Sequence, residues 1–203
     1  IPDGAFGLMV GGFLTDHFYL IGGVADANAD PTDLGKGLDT FFSDFETFKS
    51  LEFGWSGDRD DFFLNNAHLT LWQIDERSRA GTEDGWGLSA SITAAKESGF
   101  MPFLRAGWAD DGGSLYKYSL SAGFGYSTQP DRSMLGLGLN WNRPNPSTYG
   151  SNARDQYSLE LFQLLQLTEG IALTPSVQII KNPAFTPLDD WSVLFGLRLR
   201  AAL

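Results

Sequence analysis

Hydrophobic and polar residues alternate along most of this chain with a period of two. In residues 134–142, large apolar side chains occupy every second position, as at Leu135, Leu137 and Leu139, and the positions between them carry glycine or asparagine. Residues 118–126 alternate in the same way. Because successive side chains of a strand point to opposite faces, the pattern predicts strands with one apolar face and one small or polar face.

Eleven segments carry this pattern and predict an all-β chain. They are residues 5–14, 17–25, 50–55, 62–74, 86–95, 100–109, 115–127, 134–142, 156–167, 171–181 and 191–203. In the last segment every odd position is apolar, and Arg198 and Arg200 lie on the other face. Such a strand suits a boundary between lipid and water, and outer-membrane β-barrel chains end in this way, although usually on an aromatic residue rather than Leu203.

Composition narrows the fold to a membrane barrel. The 203 residues predict one domain, residues 1–203, and contain no run of about 18 apolar residues, so a transmembrane helix is not expected. Only a closed β-barrel then remains as a membrane-spanning structure. The alternative is a soluble β-sandwich, which would carry more charge opposite its apolar face. Glycine, serine and asparagine at those positions suit a water-filled lumen better.

Charge and cysteine content exclude several classes of function. The net charge of −11 argues against nucleic acid as a partner. The absence of cysteine excludes disulfides, cysteine metal sites and a cysteine nucleophile. No signal peptide is found, and the chain does not begin with methionine.

Connection lengths predict an antiparallel up-and-down barrel with a defined orientation. Short connections at 15–16, 97–99, 129–132 and 168–170 alternate with longer ones at 26–49, 75–85, 143–155 and 182–190. Outer-membrane barrels have short periplasmic turns and longer outer loops. The short outer loop 110–113 and the longer inner turn 56–61 depart from this rule. Eleven is an odd number, whereas bacterial single-chain barrels have even counts, so a strand is missed or strands precede Ile1.

Seven residues are candidates for lining the pore and binding a solute. Aromatic faces stack on sugar rings, and charged groups hydrogen-bond sugar hydroxyls in place of water. Alternation places six candidates on the inner face and Asp75 at the outer mouth; the full set is His68, Trp72, Asp75, Arg105, Glu160, Arg198 and Arg200. Two alternatives stay open: Glu160 could pair with an arginine merely to brace the wall, and a bulge could turn Trp72 into the outer aromatic girdle.

The long connection after the second segment offers weak candidates for a metal site and a helix. Asp26, Asn28 and Asp30 mimic the start of a calcium loop, but Pro31 and Gly37 stand where that loop needs glycine and glutamate. An Asx-rich turn is the alternative, and we predict no metal or cofactor. Residues 38–49 predict a short amphipathic helix, with phenylalanines that pack on the outer loops or with a role as a plug or lid.

Enzymatic function is not predicted. The chain has no Gly-x-Ser-x-Gly elbow, P-loop or His-Glu-x-x-His motif. Of the two histidines, His68 could serve a lipase-like Ser-His site in a barrel wall, but spacing indicates no partner. A third hypothesis is a small adhesin or scaffold barrel that does not conduct, because narrow barrels fill with side chains.

Several stretches, in order along the chain, resemble one known family. They are AHLTLWQIDER at 67–77, GWGL at 85–88, FLRAGWAD at 103–110, MLGLGLNWNRP at 134–144, LTPSVQIIKNP at 173–183 and the last strand. Together they are similar to the C-terminal half of the OprB-type carbohydrate-selective porins. The resemblance implies an outer-membrane porin that admits small solutes, above all sugars, by passive diffusion. It also implies a sixteen-stranded barrel about twice this length, with an in-folded loop that narrows the pore.

For a half-length chain the resemblance has a further consequence. Either N-terminal strands are missing, or the barrel is smaller, or an oligomer or complementing chain closes it. The partners implied are the lipid bilayer and small solutes.

Overall fold

One antiparallel sheet contains all the strands. The computed structural model describes residues 5–28, 33, 35–60, 62–129, 133–186 and 188–202. Its strands are β1 (Gly7–Phe13), β2 (Phe18–Asp26), β3 (Thr47–Ser56), β4 (Asn65–Ile74), β5 (Gly85–Ala94), β6 (Phe100–Ala109), β7 (Tyr116–Gln129), β8 (Ser133–Pro144), β9 (Gln156–Gln166), β10 (Ile171–Lys181) and β11 (Trp191–Ala201). The helices are α1 (Lys36–Ser43) and α2 (Pro146–Tyr149).

Each strand pairs with its neighbours in sequence, in the order β1 to β11. The predicted all-β, up-and-down antiparallel arrangement of eleven strands is therefore confirmed. Strand β1 pairs with β2 and strand β11 with β10, so these two strands form the edges of the sheet in the described part of the chain.

The register assigns every strand residue to one of two faces. Residues directly opposite each other in an antiparallel pair share a face. One face, called the apolar face, includes the cross-strand row Phe53, Leu69, Ala90, Ala106, Leu120, Trp141 and Tyr157. The other, called the polar face, includes the row Gly54, His68, Ser91, Arg105, Ser121, Asn140 and Ser158. Shifts in register occur only near the two ends of the β7–β8 pair.

The apolar face is largely exposed because no second sheet of the described residues packs against it. Leu69 is 52% exposed, Leu139 55% and Phe195 84%. Among the described residues, the only buried hydrophobic side chains are Tyr19, Ala109 and Ala172. A sandwich would bury one face against a second sheet, and no second sheet exists in the described ranges. No helix in those ranges is long and apolar enough to cross a membrane.

The two ends of the sheet differ in their connections. One end, called the short-turn end, carries the turns 14–17, 57–64, 95–99 and 167–170. The opposite, long-loop end carries the connections 27–46, 75–84, 110–115, 145–155 and 182–190. Residues 130–132, which join β7 to β8, lie outside the described residues. The described connections alternate in length as predicted, with the same two departures: the turn 57–64 is longer than the connection 110–115.

The helix in the first long connection is shorter and earlier than residues 38–49. Helix α1 ends at Ser43, and Phe45 adopts a left-handed φ of +53°, which turns the chain towards β3. Strand β3 then begins at Thr47, because the β2–β3 pairing continues to Asp26 and Thr47. Cross-strand pairing has overridden the helical spacing of the last residues in the predicted segment.

A charge on the apolar face should prevent assembly in a membrane, whereas a charge on the adjacent residue should not. Leu137→Arg places a charge in the middle of the apolar face, at a cost of about 2–4 kcal/mol in hydrocarbon. Gly138→Arg is the matched control: it lies in the same strand at the same depth, but on the polar face opposite Glu160, with open space beside it. We expect the folded, heat-modifiable band in gel electrophoresis to be depleted for Leu137→Arg only. Equal folding of both variants would contradict the assignment of faces.

Candidate functional site

Hydroxyl, amide and guanidinium groups follow one row across the middle of the polar face. Going from β4 to β9, the residues directly opposite one another are His68, Ser91, Arg105, Ser121, Asn140 and Ser158. Asn140 donates a hydrogen bond to the hydroxyl of Ser121 at 2.5 Å. This row, called the polar row, presents both donors and acceptors, as a surface that replaces water around a polyhydroxylated solute must do.

A second group of polar side chains surrounds Glu52 on β2, β3 and β4. Tyr19 donates to one carboxylate oxygen of Glu52 at 2.9 Å, and Thr70 donates to the other at 2.8 Å. Asn66 in turn donates to the Tyr19 hydroxyl at 3.0 Å, and His68 Nδ1 donates to Asn66 Oδ1 at 2.6 Å. These five residues, called the Glu52 cluster, hold one another in fixed orientations, because the carboxylate and the phenol each have two partners.

The turn between β3 and β4 folds back over this cluster. The Phe62 ring lies 4.9 Å from the Tyr19 ring and 6.1 Å from Phe13, measured between centroids. The Arg59 guanidinium lies 4.9 Å from the centre of the Phe13 ring. Phe13 and Tyr19 are opposite each other on the polar face, so the turn covers that face at the short-turn end. As a result only 2% of Tyr19 is exposed.

Trp72 lies on the polar face, as do His68 and Thr70, which precede it at alternate positions of β4. The register of β4 with β3 and β5 is unbroken, so no bulge turns Trp72 into a girdle on the apolar face. Its ring stacks on Phe48, with centroids 6.1 Å apart, and lies close to Gly87 on β5. A Cβ on Gly87 would lie 2.6 Å from Cζ2 of Trp72, so glycine is what allows the ring to lie against the sheet.

The remaining charged candidates also lie on the polar face, but they do not pair with one another. Arg105 stacks over Phe103, with its guanidinium carbon 5.4 Å from the ring centre. Glu160 and Arg198 line the same open hollow of about 460 Å³, together with Thr174 and Ser176. Within the described residues, no ion pair joins Glu160 to an arginine. Arg200 lies opposite Ala172 on the edge strand β11.

Asp75 lies apart from the other six candidates. Lys49 donates to both its carboxylate oxygens at 2.9 Å, and Gln73 and Thr47 donate to it as well. Lys49 and Gln73 share the apolar-face register, at the long-loop end. Burial alone would raise the pKa of Asp75, but hydrogen bonds from Gln73, Lys49 and Thr47 outweigh it and hold this pKa well below its usual range. The position of Asp75 at the outer mouth of a pore stays a prediction; its carboxylate lies at the long-loop end, where it joins Thr47 and Lys49 of β3 to Gln73 of β4.

The two weak metal candidates that the structure describes, Asp26 and Asn28, bind different side chains. Asp26 accepts a hydrogen bond from the Thr40 hydroxyl at 2.8 Å, and Asn28 donates its amide to Glu46 at 2.7 Å. Asp30 lies outside the described residues. No group of three or more potential metal ligands from histidine, aspartate and glutamate occurs in the described part of the chain.

Sequence reasoning missed most of the Glu52 cluster. Alternation contained a signal for Glu52, which lies between Leu51 and Phe53 on the opposite face. No such signal marked Tyr19, because its strand is apolar on both faces. Its buried position depends on Phe62, which is 43 residues further along the chain.

Comparisons with known proteins agree with this architecture. A family model described as the OprB family of carbohydrate-selective porins matches residues 1–203. No curated protein sequence matches the chain. The structure of Pseudomonas putida OprB at high pH is similar with a TM-score of 0.71 and 16% identity, over 97% of this chain and 58% of that chain. The KdgM porin in complex with disordered oligogalacturonate gives a TM-score of 0.42 and 9% identity, over 97% and 91%.

This chain therefore spans 58% of the length of the OprB chain that it resembles, and that likeness shows the fold. The family match over all 203 residues confirms the resemblance found in the sequence, and the chain belongs to the OprB family of carbohydrate-selective porins.

Proposed function

We propose that this chain forms part of the wall of an outer-membrane pore, through which small solutes, carbohydrates among them, diffuse passively. The observation that carries the proposal is the difference in chemistry between the two faces of one sheet. That difference is maintained across the pairings from β3–β4 to β10–β11, whereas β1 and β2 are largely apolar on both faces. Membership of a porin family supports it, and porins are channels rather than enzymes.

In this proposal the apolar face borders lipid. Its side chains are exposed leucines and aromatic residues. Keeping apolar surface in water rather than in an apolar environment costs about 25 cal/mol per Å². Hydrocarbon removes this cost. The longer connections then lie outside the cell and the short turns in the periplasm, as in other outer-membrane barrels.

Closure of the sheet into a barrel is part of the proposal. Backbone N–H and C=O groups cannot remain unpaired in hydrocarbon, so an open sheet edge does not occur there. Because β1 and β11 are edges in the described chain, we propose that further strands pair with both and complete the barrel. A small non-conducting barrel is disfavoured, because a sheet of eleven strands is already wider than the eight-stranded barrels that side chains fill.

The polar face is suited to carbohydrates. The polar row offers hydroxyl, amide and guanidinium groups, and the Trp72 ring lies against the sheet with glycine behind it. The hollow lined by Glu160 and Arg198 adds an acceptor and a donor near β11. A lipase-like role is disfavoured, because the hydrogen bonds of the described residues join no serine hydroxyl to the second ring nitrogen of His68, the one that would act as the base.

We also propose that the in-folded turn 57–64 narrows this passage at its short-turn end. Phe62 and Arg59 project over the polar face, on Tyr19 and Phe13. A solute that moves along the wall must pass them.

Removing the guanidinium of the polar row should weaken sugar binding in the pore. A hydrogen bond contributes about 0.5–1.5 kcal/mol, so the apparent dissociation constant for a sugar should rise roughly 2- to 10-fold in Arg105→Ala. The measurement is single-channel current in a planar bilayer, with glucose and a disaccharide titrated in. Lys181→Ala removes the same charge from the apolar-face register and should leave sugar block unchanged.

Two results of this experiment would count against the proposal. A closed, folded barrel that contains this chain and the strands that complete it, and that gives no channel current, would contradict the pore itself. A conducting channel whose sugar block is the same in Arg105→Ala and in the unmodified protein would remove Arg105 from the solute path.

Shortening the aromatic side chain that lies over the polar face should widen the passage. We expect Phe62→Ala to have a higher single-channel conductance than the unmodified protein. The control is Phe63→Ala, because Phe63 is 85% exposed and its only described ring contact is with Phe62. Conductance that does not differ between the two variants would show that the turn does not narrow the pore.

A further inference from the structure

Helix α1 is attached to the apolar side of the sheet and not to the polar side. Thr40 of the helix donates to Asp26 Oδ2 at 2.8 Å. Asp26 lies opposite Thr47, and two residues along each strand Val24 lies opposite Lys49 on the apolar face. Asp26 and Thr47 therefore belong to the apolar face as well. Both Asp26 and Thr40 are buried, with 3% and 2% exposed. This contact fixes which side of the wall the helix occupies.

Packing next to Asp26 leads to the same conclusion. The backbone N–H of Asp26 donates to the carbonyl of Phe6, which extends the β1–β2 pairing by one residue beyond Gly7 and Ala25. The Phe6 ring lies 5.2 Å from Phe41 and 6.0 Å from Phe42 of the helix. A Cβ on Gly37 would lie 3.2 Å from the Phe6 backbone nitrogen, so the helix approaches the strand closely. The prediction of a plug or lid in the lumen is thus not favoured by this geometry.

Helix α1 and the residues beside it expose an apolar surface that continues the apolar face. Its members are Phe6, Leu38, Phe42 and Phe45, called the phenylalanine patch, with 41%, 45%, 70% and 66% of their surface exposed. Two and four residues beyond Phe6 on the same face are Leu8 and Val10, which are 66% and 69% exposed. The patch is therefore continuous with the surface that the proposed function assigns to lipid.

Polar groups show that the phenylalanine patch lies where the apolar face ends, at the long-loop end of the sheet. On β3 and β4 the apolar face ends in Lys49, Gln73, Thr47 and Asp75, which bind one another at the long-loop end. Asp44, at the end of the helix, pairs with Arg79 at 2.7 Å. Apolar rings beside ion-paired groups at the border of an apolar band are typical of a helix that lies in a membrane interface.

We propose that α1 is an interfacial helix, whose phenylalanine patch inserts into the outer leaflet at the boundary between headgroups and acyl chains. The proposal rests on the proposed function, because it requires the apolar face to border lipid. The patch would extend the lipid contact of the wall beside β1 and β2, and the Thr40–Asp26 hydrogen bond would hold the helix there.

The test uses the absence of cysteine from the chain, which makes single-cysteine labelling unambiguous. Phe42→Cys, Leu137→Cys and Leu188→Cys are each labelled with a nitroxide in the full protein, reconstituted in vesicles of phosphatidylethanolamine and phosphatidylglycerol. Leu137 reports the middle of the apolar face, and Leu188 is 99% exposed in a long-loop connection. Collision with dissolved oxygen reports lipid, and collision with a water-soluble nickel chelate reports water.

The expected result is that the label at position 42 collides preferentially with oxygen, as at position 137, whereas the label at position 188 collides with nickel. Nickel access at 42 together with lipid exposure at 137 would overturn the interfacial helix and leave the proposed function intact. Nickel access at 137 would instead contradict the proposed function. Spin–spin broadening between labels at 42, with neither reagent reaching them, would show that a second copy of the chain covers the patch, and would overturn lipid as its partner.

Discussion

Backbone pairing is the constraint on which the rest of this structure depends. Buried backbone N–H and C=O groups must be paired, and in this sheet each strand pairs with its neighbours in sequence through an antiparallel ladder. Within β2–β6 and β8–β11, the pairings show no shift in register. Apart from the two ends of the β7–β8 pair, the parity of one residue therefore fixes the face of every paired residue across the sheet. A slip of one position would carry Arg105 to the apolar face.

On the polar face, large aromatic rings lie close to the backbone of glycines in neighbouring strands. Trp72 lies against Gly87, and the Phe162 ring lies directly over Gly136, where a Cβ would collide with it. Both rings therefore occupy the space that a side chain at the glycine would fill. Glycines on this face thus have a packing role: they let aromatic side chains occur there without filling the space in front of the sheet.

Connections at the two ends of the sheet fold over opposite faces. At the short-turn end the turn 57–64 bends over the polar face and shields the phenol of Tyr19. At the long-loop end α1 bends the other way and packs on the apolar side through Thr40 and Asp26. In each case a buried polar side chain makes a hydrogen bond to a residue distant in sequence: Tyr19 to Glu52 of β3, and Asp26 to Thr40 of α1. The Thr40–Asp26 hydrogen bond therefore fixes the side on which α1 lies, whereas the ring contacts of Phe62 fix the side on which the turn lies.

The sequence by itself determined the strands, their faces and the family. Alternation is a local property, so Leu137, Gly138, Arg105 and Glu160 could be assigned to faces without any knowledge of their neighbours. The sequence also indicated that alternate connections are long. What it could not determine depends on residues that only the register brings together. The partners of Asp75 come from β3 and β4, and the turn that covers Tyr19 follows a strand that begins 28 residues later. The tertiary structure alone decided on which side of the sheet α1 and the turn 57–64 lie, because the periodicity of a segment describes its own faces and not the surface that it packs against.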